Sequence, residues 1–335
     1  MLNLYDKPEE GNVEKTMKKI TIVVPCFNEE ENIEDFHIAI KKVFEETLHF
    51  QYKYDFVFVD DGSKDNTLGE VHRLAEQYEN VKYISFSRNF GKEAALYAGL
   101  SHATGDYVTV MDADLQDPPE LLPEMIEYIE SGEYECVATR RKNRKGESKI
   151  RSFFAKNFYK IIQKMSNVEI RDGARDYRLM TRKFVNSLLE LTEYNRFSKG
   201  LFAWVGYPVK WIAFDNKERK KGITKWSFWK LLVYAVDGIV SFSIFPAVVA
   251  GIFGMLFCIV AFLVMIFIFA RALIFGDPVA GWPSTVCIIL FIGGIQLFCT
   301  GIIGEYVAKT YMEVKKRPMY ICNETNININ EGENA

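Results

Sequence analysis

Two long stretches without a charged residue constrain this chain more than any other feature. No Asp, Glu, Lys or Arg occurs from Gly238 to Ala270, and none from Pro278 to Gly304. A helix of about 20 apolar residues crosses the hydrocarbon core of a bilayer, so each stretch spans it with residues to spare. Gly276, Pro278, Gly281 and Pro283 form a short turn between them, where Arg271 and Asp277 are the charged residues. A buried core helix is the competing reading, and two such runs in one chain of 335 residues argue against it. The pattern predicts a transmembrane hairpin over 238–312, with spans at about 243–270 and 282–305.

Orientation follows from the basic residues near the helix ends. Lys210, Lys217, Arg219, Lys220, Lys221, Lys225 and Lys230 precede the first span, and Lys309, Lys315, Lys316 and Arg317 follow the second. The connecting loop has Arg271 alone. By the positive-inside rule both flanks and both termini lie on the cytoplasmic side of the plasma membrane. Two further segments are expected to lie on the membrane surface. In 149–167, Phe154, Phe158, Ile161, Ile162 and Met165 share one helical face, and Lys149, Lys156, Lys160 and Lys164 the other. A core-packed helix with a solvated basic face is the alternative there. In 223–236, Trp226, Phe228, Trp229 and Lys230 form an aromatic and basic approach to the first span.

The remainder divides into a polar tail over 1–17 with no apolar core of a signal peptide, a soluble domain over 18–235, and a C-terminal cytoplasmic tail over 313–335. Net charge is −3, which gives no reason to expect nucleic acid. Carboxylates crowd the first 135 residues and Lys and Arg crowd 140–230, a polarity suited to anionic lipid or phosphate. Six widely spaced cysteines and four histidines outside any motif point to buried thiols rather than disulfides, zinc or His-based nucleophiles.

Within the soluble domain, β-branched runs at Ile20–Val24, Phe56–Val59, Val81–Phe86 and Tyr107–Met111 alternate with helix-like runs. Asn28 and Glu31 have the spacing of a capping box. Alternation of this kind predicts an α/β fold with a doubly wound, mostly parallel sheet, which binds ligands beyond the carboxyl ends of its strands. Two acidic pairs fall at such ends, Asp60-Asp61 and Asp112/Asp114. Neither G-x-G-x-x-G nor a P-loop lysine occurs, which argues against a dinucleotide site or a phosphoryl transferase of the P-loop kind. Asp112 and Asp114, one residue apart, can face the same side of the sheet edge. Two hard oxygen ligands there suit Mg²⁺ or Mn²⁺ bridging a diphosphate, with Gln116 as a neutral third.

Several short motifs, in order, carry a resemblance. They are Val24-Pro25-Cys26-Phe27-Asn28-Glu29, Val59-Asp60-Asp61-Gly62-Ser63, Arg88-Asn89-Phe90-Gly91-Lys92 and Asp112-Ala113-Asp114-Leu115-Gln116-Asp117-Pro118. Asp176-Tyr177-Arg178-Leu179-Met180, the hairpin, Gly304-Glu305-Tyr306 and Lys316-Arg317-Pro318 come after them. From Ile20 to about Tyr320 the chain resembles the polyprenyl-phosphate glycosyltransferases of glycosyltransferase family two, such as dolichyl-phosphate mannose synthases and bactoprenol-phosphate glucosyltransferases. The resemblance implies a GT-A catalytic domain and an enzyme that moves a hexose from a nucleotide-sugar to polyprenyl phosphate. UDP-glucose and undecaprenyl phosphate are the family-level expectation, with mannose, N-acetylhexosamine or an aminoarabinose-type sugar as alternatives.

The resemblance also implies roles for individual residues. Pro25, Phe27, Glu29, Val59, Asp61, Lys92, Asp112, Ala113 and Asp114 would line the nucleotide-sugar site. Asp112, Asp114 and Gln116 would hold the metal. Arg140, Arg151, Arg178, Arg219 and Lys225 would meet the acceptor phosphate. Asp176, Asp114 and Arg140 would serve the chemistry, with Asp176 as base or positioning carboxylate and Arg178 as its possible ion-pair partner. Ile223-Thr224 departs from the Glu-Ser of many relatives just before Lys225. Relatives also suggest a homo-oligomer, a tetramer. A processive polysaccharide synthase would share the core but carry Q-x-x-R-W and more spans, and neither occurs here. Inversion in a single displacement, and a non-catalytic nucleotide-sugar scaffold as the rival, complete the expectations.

Overall fold

The computed structural model describes residues 17–142, 171, 173–215, 245–275 and 281–328. The interfacial helices expected over 149–167 and 223–236 lie outside those residues, as do Arg151, Arg219 and Lys225.

Eight strands form one sheet: β1 (Lys19–Cys26), β2 (Lys53–Asp60), β3 (Val81–Phe86), β4 (Tyr107–Val110), β5 (Cys136–Arg141), β6 (Ala174–Thr181), β7 (Val209–Phe214) and β8 (Cys322–Thr325). Their order across the sheet is β7-β5-β6-β4-β1-β2-β3-β8. β1 pairs in parallel with β2 and β4, β2 with β3, and β5 with β7. β6 runs antiparallel to both β4 and β5, and β8 antiparallel to β3. The result is a mostly parallel GT-A sheet, as the resemblance implied.

Helices cover both faces, which is why the central strands read as nearly unbroken apolar runs. Ile20, Ile22 and Val24 of β1 pack with α1 (Ile33–Lys42), α2 (Thr67–Gln77) and α4 (Leu122–Glu130). Val23, one residue out of phase, faces the other side with Leu96 and Leu100 of α3 (Lys92–His102) and Phe184 of α5 (Arg182–Leu189). That alternation is the period of two expected of a strand. α3 lies so close to β1 that a Cβ on Gly99 would stand 2.2 Å from Val23 Cγ1. α6 (Ser198–Trp204) completes this layer with Leu201 and Phe202.

Two sequence expectations need correction. The Asn28–Glu31 capping box does not form: α1 starts at Ile33, its cap residue is Asn32, and no side chain caps it. Asn28 instead has φ 54° and bonds to the β2–α2 loop, with Ser63 Oγ accepting from its N–H and its own Oδ1 accepting from Lys64 N–H. Cross-loop pairing has displaced a local cap. Nor is 313–335 simply a tail, because Cys322–Thr325 returns to the sheet as β8.

The two apolar runs form α7 (Phe245–Phe275) and α8 (Trp282–Val314). Segments Ala247–Val264 and Phe291–Val314 are long and apolar enough to cross a membrane, and almost none of either is buried within the protein. A Phe257–Phe291 ring contact joins the two helices. Glu313, near the end of α8, accepts from the N–H groups of Tyr194 and Asn195 at 2.8 and 3.3 Å, docking the helix on the catalytic domain. Beyond it, Tyr320 stacks on Phe86 and its hydroxyl lies 3.1 Å from His102 Nε2. Cys26, Cys136, Cys299 and Cys322 are free thiols; the first two are buried, as the spacing suggested, and the last two only half-buried.

Candidate active site

β1, β2 and β4 are parallel, so their carboxyl ends meet at one edge of the sheet. The loop after β1 carries Phe27 and Glu29, and β1 itself carries Pro25 opposite Val59 of β2. Glu29 N–H donates to Thr67 Oγ1 at 2.8 Å, and Asn66 N–H donates to Glu30 Oε2 at 2.7 Å. These bonds fix the two loops against each other. Val59 is fully buried among residues of α3, so its side chain belongs to the core rather than to a ligand site. Ala113, 2 % exposed, is likewise a core side chain.

Asp61 is buried and occupied. Its Oδ1 accepts from Phe90 N–H at 2.6 Å, and its Oδ2 accepts from Gly91 N–H at 3.0 Å and Asn89 Nδ2 at 2.8 Å. Burial raises its pKa, and the Phe90 and Gly91 amides pull in the other direction. The close approach requires glycine at position 62: with φ +64°, a Cβ there would lie 2.4 Å from the Arg88 carbonyl carbon. Asp61 thus clamps the loop that delivers Lys92 to the start of α3.

Lys92 is the centre of the site. Its ammonium donates to Asp112 Oδ1 at 2.7 Å and to Asp176 Oδ2 at 2.6 Å. Asp112 lies just beyond β4 and Asp176 lies on β6. The antiparallel register that pairs Val110 with Arg178 carries these two carboxylates toward the same level. Burial works to raise the Asp176 pKa, but the Lys92 ammonium, helped by Lys199 and Arg175, outweighs it and holds the carboxyl well below its ordinary range. Burial would lower the Lys92 pKa, and Asp112 and Asp176 together push it well above the usual lysine value. Asp176 is therefore an ionised carboxylate and Lys92 a persistent cation.

Arg175, which the motifs did not single out, supplies the second cation. Its Nε and one terminal nitrogen grip Asp117 at 2.6 and 3.0 Å, and the same end lies 4.0 Å from Asp112 Oδ2. Asp117 is almost wholly buried; burial raises its pKa and Arg175 opposes that. A buried carboxylate requires such a partner. The signal was present in the sequence, since Asp117 belongs to the Asp112–Pro118 motif and Arg175 precedes Asp176, but only the fold joins them.

Arg178 does not take the place expected for it. Asp176 pairs with Lys92, while Arg178 is 3 % exposed, stacks on the Phe202 ring at 3.5 Å and donates to the Arg175 carbonyl at 3.1 Å. It is a buried cation packed between β6 and α6. Arg140 is exposed on β5, just past the irregularity between Ala138 and Arg140, where a bulge can re-aim a side chain.

Asp114 is largely buried, and its Oδ1 accepts from Gln116 N–H at 3.1 Å. Gln116 Oε1 accepts from Arg141 at 2.9 Å. Among the described residues no three His, Cys, Asp or Glu side chains cluster as a self-sufficient metal cage. The donor set nonetheless fits Mg²⁺ or Mn²⁺ of the kind held by one or two carboxylates plus substrate phosphates. Asp112 already faces a cation, and its oxygens are hard donors.

Comparison with known proteins places the chain in a family. Glycosyl transferase family 2 matches residues 21–189. The putative glycosyltransferase CsbB of Bacillus subtilis is 45 % identical over 92 % of this chain and 92 % of its own length. A prophage bactoprenol glucosyl transferase homolog of Escherichia coli is 42 % identical over 90 % of this chain and 98 % of its own. Among solved structures, glucosyl-3-phosphoglycerate synthase of Mycobacterium tuberculosis, in complex with Mn²⁺, UDP-glucose and phosphoglyceric acid, is a distant likeness. It is 19 % identical with a TM-score of 0.46, covering 67 % of this chain and 78 % of that one.

Proposed function

The chain belongs to glycosyl transferase family 2, and from that premise we propose that it moves glucose from UDP-glucose onto polyprenyl phosphate at the cytoplasmic face of the plasma membrane. The observation that carries this reading is the Asp112–Lys92–Asp176 cluster at the carboxyl end of the sheet, in a chain with two membrane-length helices. Relatives named as bactoprenol glucosyl transferases cover nearly the whole chain, which supports the lipid acceptor and the sugar.

In this reading Pro25, Phe27 and Glu29 hold the nucleoside, and Asp61 acts through the loop it clamps. Asp112, Asp114 and Gln116 would hold Mg²⁺ or Mn²⁺. Bound there, the ion would neutralise charge on the leaving diphosphate. Lys92 and Arg175 add positive charge where that negative charge develops. Arg140, with Arg151, Arg219 and Lys225, receives the acceptor phosphate.

That acceptor is a monoester whose second pKa is about 6, so it arrives largely ionised and needs little help from a general base. Asp176, kept ionised by Lys92, orients rather than deprotonates. Attack from the face opposite the leaving group inverts the anomeric centre. A homo-oligomer is part of the proposal, on the resemblance alone.

The test presents the purified protein, Mg²⁺ and undecaprenyl phosphate with a panel of nucleotide-sugars, and reads lipid products by mass. A hexosyl phospholipid formed from UDP-glucose, and inverted at C1, is the expected product. Transfer only to a soluble hydroxyl acceptor, or no transfer from any donor, would overturn the proposal.

A further inference from the structure

Lys92 stands where a second cation is also required. The ammonium sits between the carboxylates of Asp112 and Asp176 at 2.7 and 2.6 Å. Arg175 cannot take over this duty, because its fork is committed to the buried Asp117 and reaches Asp112 only at 4.0 Å. The position of Lys92 is built in rather than incidental: it opens α3 directly after Gly91, whose N–H is held by Asp61.

We infer that Lys92 is an internal cation that competes with the divalent ion for Asp112, so that the ion enters efficiently only together with the donor diphosphate. The inference rests on the reading of Asp112 as a metal ligand. Its physical basis is simple. A divalent ion cannot settle on Asp112 beside an ammonium without strong like-charge repulsion, so Lys92 has to leave that carboxylate while keeping Asp176. A diphosphate supplies the anionic oxygens that receive the released ammonium. Before the donor binds, the same lysine keeps Asp112 and Asp176 from repelling each other. Lys92 is therefore a positioning residue for ion and donor alike, and it sets their order of entry.

The experiment measures Mn²⁺ binding to the full-length protein in lipid nanodiscs by electron paramagnetic resonance, with and without UDP. Lys92→Met is expected to bind Mn²⁺ about tenfold more tightly than wild type when UDP is absent. With UDP the gap closes, and Lys92→Arg stays near wild type in both conditions. Because Lys92→Met leaves two carboxylates facing each other and could fold poorly, wild-type protein gives a second reading. Acetylation of Lys92 by an amine-reactive reagent, followed by mass spectrometry, is expected to rise several-fold when Mn²⁺ is added without nucleotide.

Equal or weaker Mn²⁺ binding by a folded Lys92→Met protein, while Asp112→Asn still abolishes binding, overturns the competition and leaves the metal reading standing. Lys92 labelling that does not respond to bound Mn²⁺ overturns it likewise. Mn²⁺ binding that is the same in wild type and Asp112→Asn overturns both.

Discussion

Asp60-Asp61 at the end of β2 and Asp112/Asp114 beyond β4 look alike in the sequence, yet the fold uses Asp112 in the opposite way to Asp61. The first pair turns inward. Asp60 accepts from Ser63 N–H and Ser85 Oγ, Asp61 accepts from three groups of the 89–91 loop, and both are 3 % exposed. In the second pair Asp114 is likewise buried and accepts from Gln116 N–H, but Asp112 is partly exposed and meets side-chain cations rather than backbone amides. A carboxylate saturated by amides shapes a loop; one held by a lysine can exchange its partner. The loop that leaves each strand decides the difference, since Gly62 allows one loop to press against another.

The contrast breaks if Asp112 proves structural. Asp112→Asn is expected to cut turnover by about 10²–10³-fold, the scale of losing one electrostatic contact to the developing charge, with an unchanged denaturation midpoint. Asp61→Ala should do the reverse, costing about 2–4 kcal/mol of stability because buried amides lose their acceptor. Chemical denaturation in detergent, read beside turnover per folded molecule, separates the two. Gly62→Ala tests the loop contact itself and should cost about 1–3 kcal/mol for a strained left-handed residue, with the crowded Arg88 backbone pushing toward the upper figure; thermal unfolding measures it.

The smallest effect is confined to acid. Asp176 has a folded pKa below its unfolded one, so its ionised form adds stability that is complete above about pH 4 and fades as the pH falls further. Asp61 has a folded pKa above its unfolded one, so acid relieves its penalty over the window just above about pH 4. Asp176→Asn should flatten the acid loss of stability, whereas Asp61→Asn should not. Melting curves from about pH 2 upward, which take in the upper part of the Asp176 loss and the Asp61 window, would show parallel limbs if the comparison is mistaken.

Much of this was legible along the chain because it is local. The buried strands, the strand-end carboxylates and the apolar helices each declare themselves within a short window. Lys92 belonged to a recognisable motif, but its position between Asp112 and Asp176 depends on β6 entering antiparallel beside β4. The Arg175–Asp117 grip has the same origin. Arg178 was misplaced because its neighbour in sequence, Asp176, is not its partner in space; Phe202 is. β8 escaped notice for a different reason. Cys-Asn-Glu-Thr carries almost no strand signal, and only an exposed edge such as β3 makes a strand of it.

That last strand has a consequence for how the molecule is assembled. The sheet is left after β7 and regained at β8, with α7 and α8 between them. Until β8 pairs with it, the β3 edge keeps unpaired backbone groups. That seam stays open until the ribosome has finished both apolar helices, because β8 follows them in the chain.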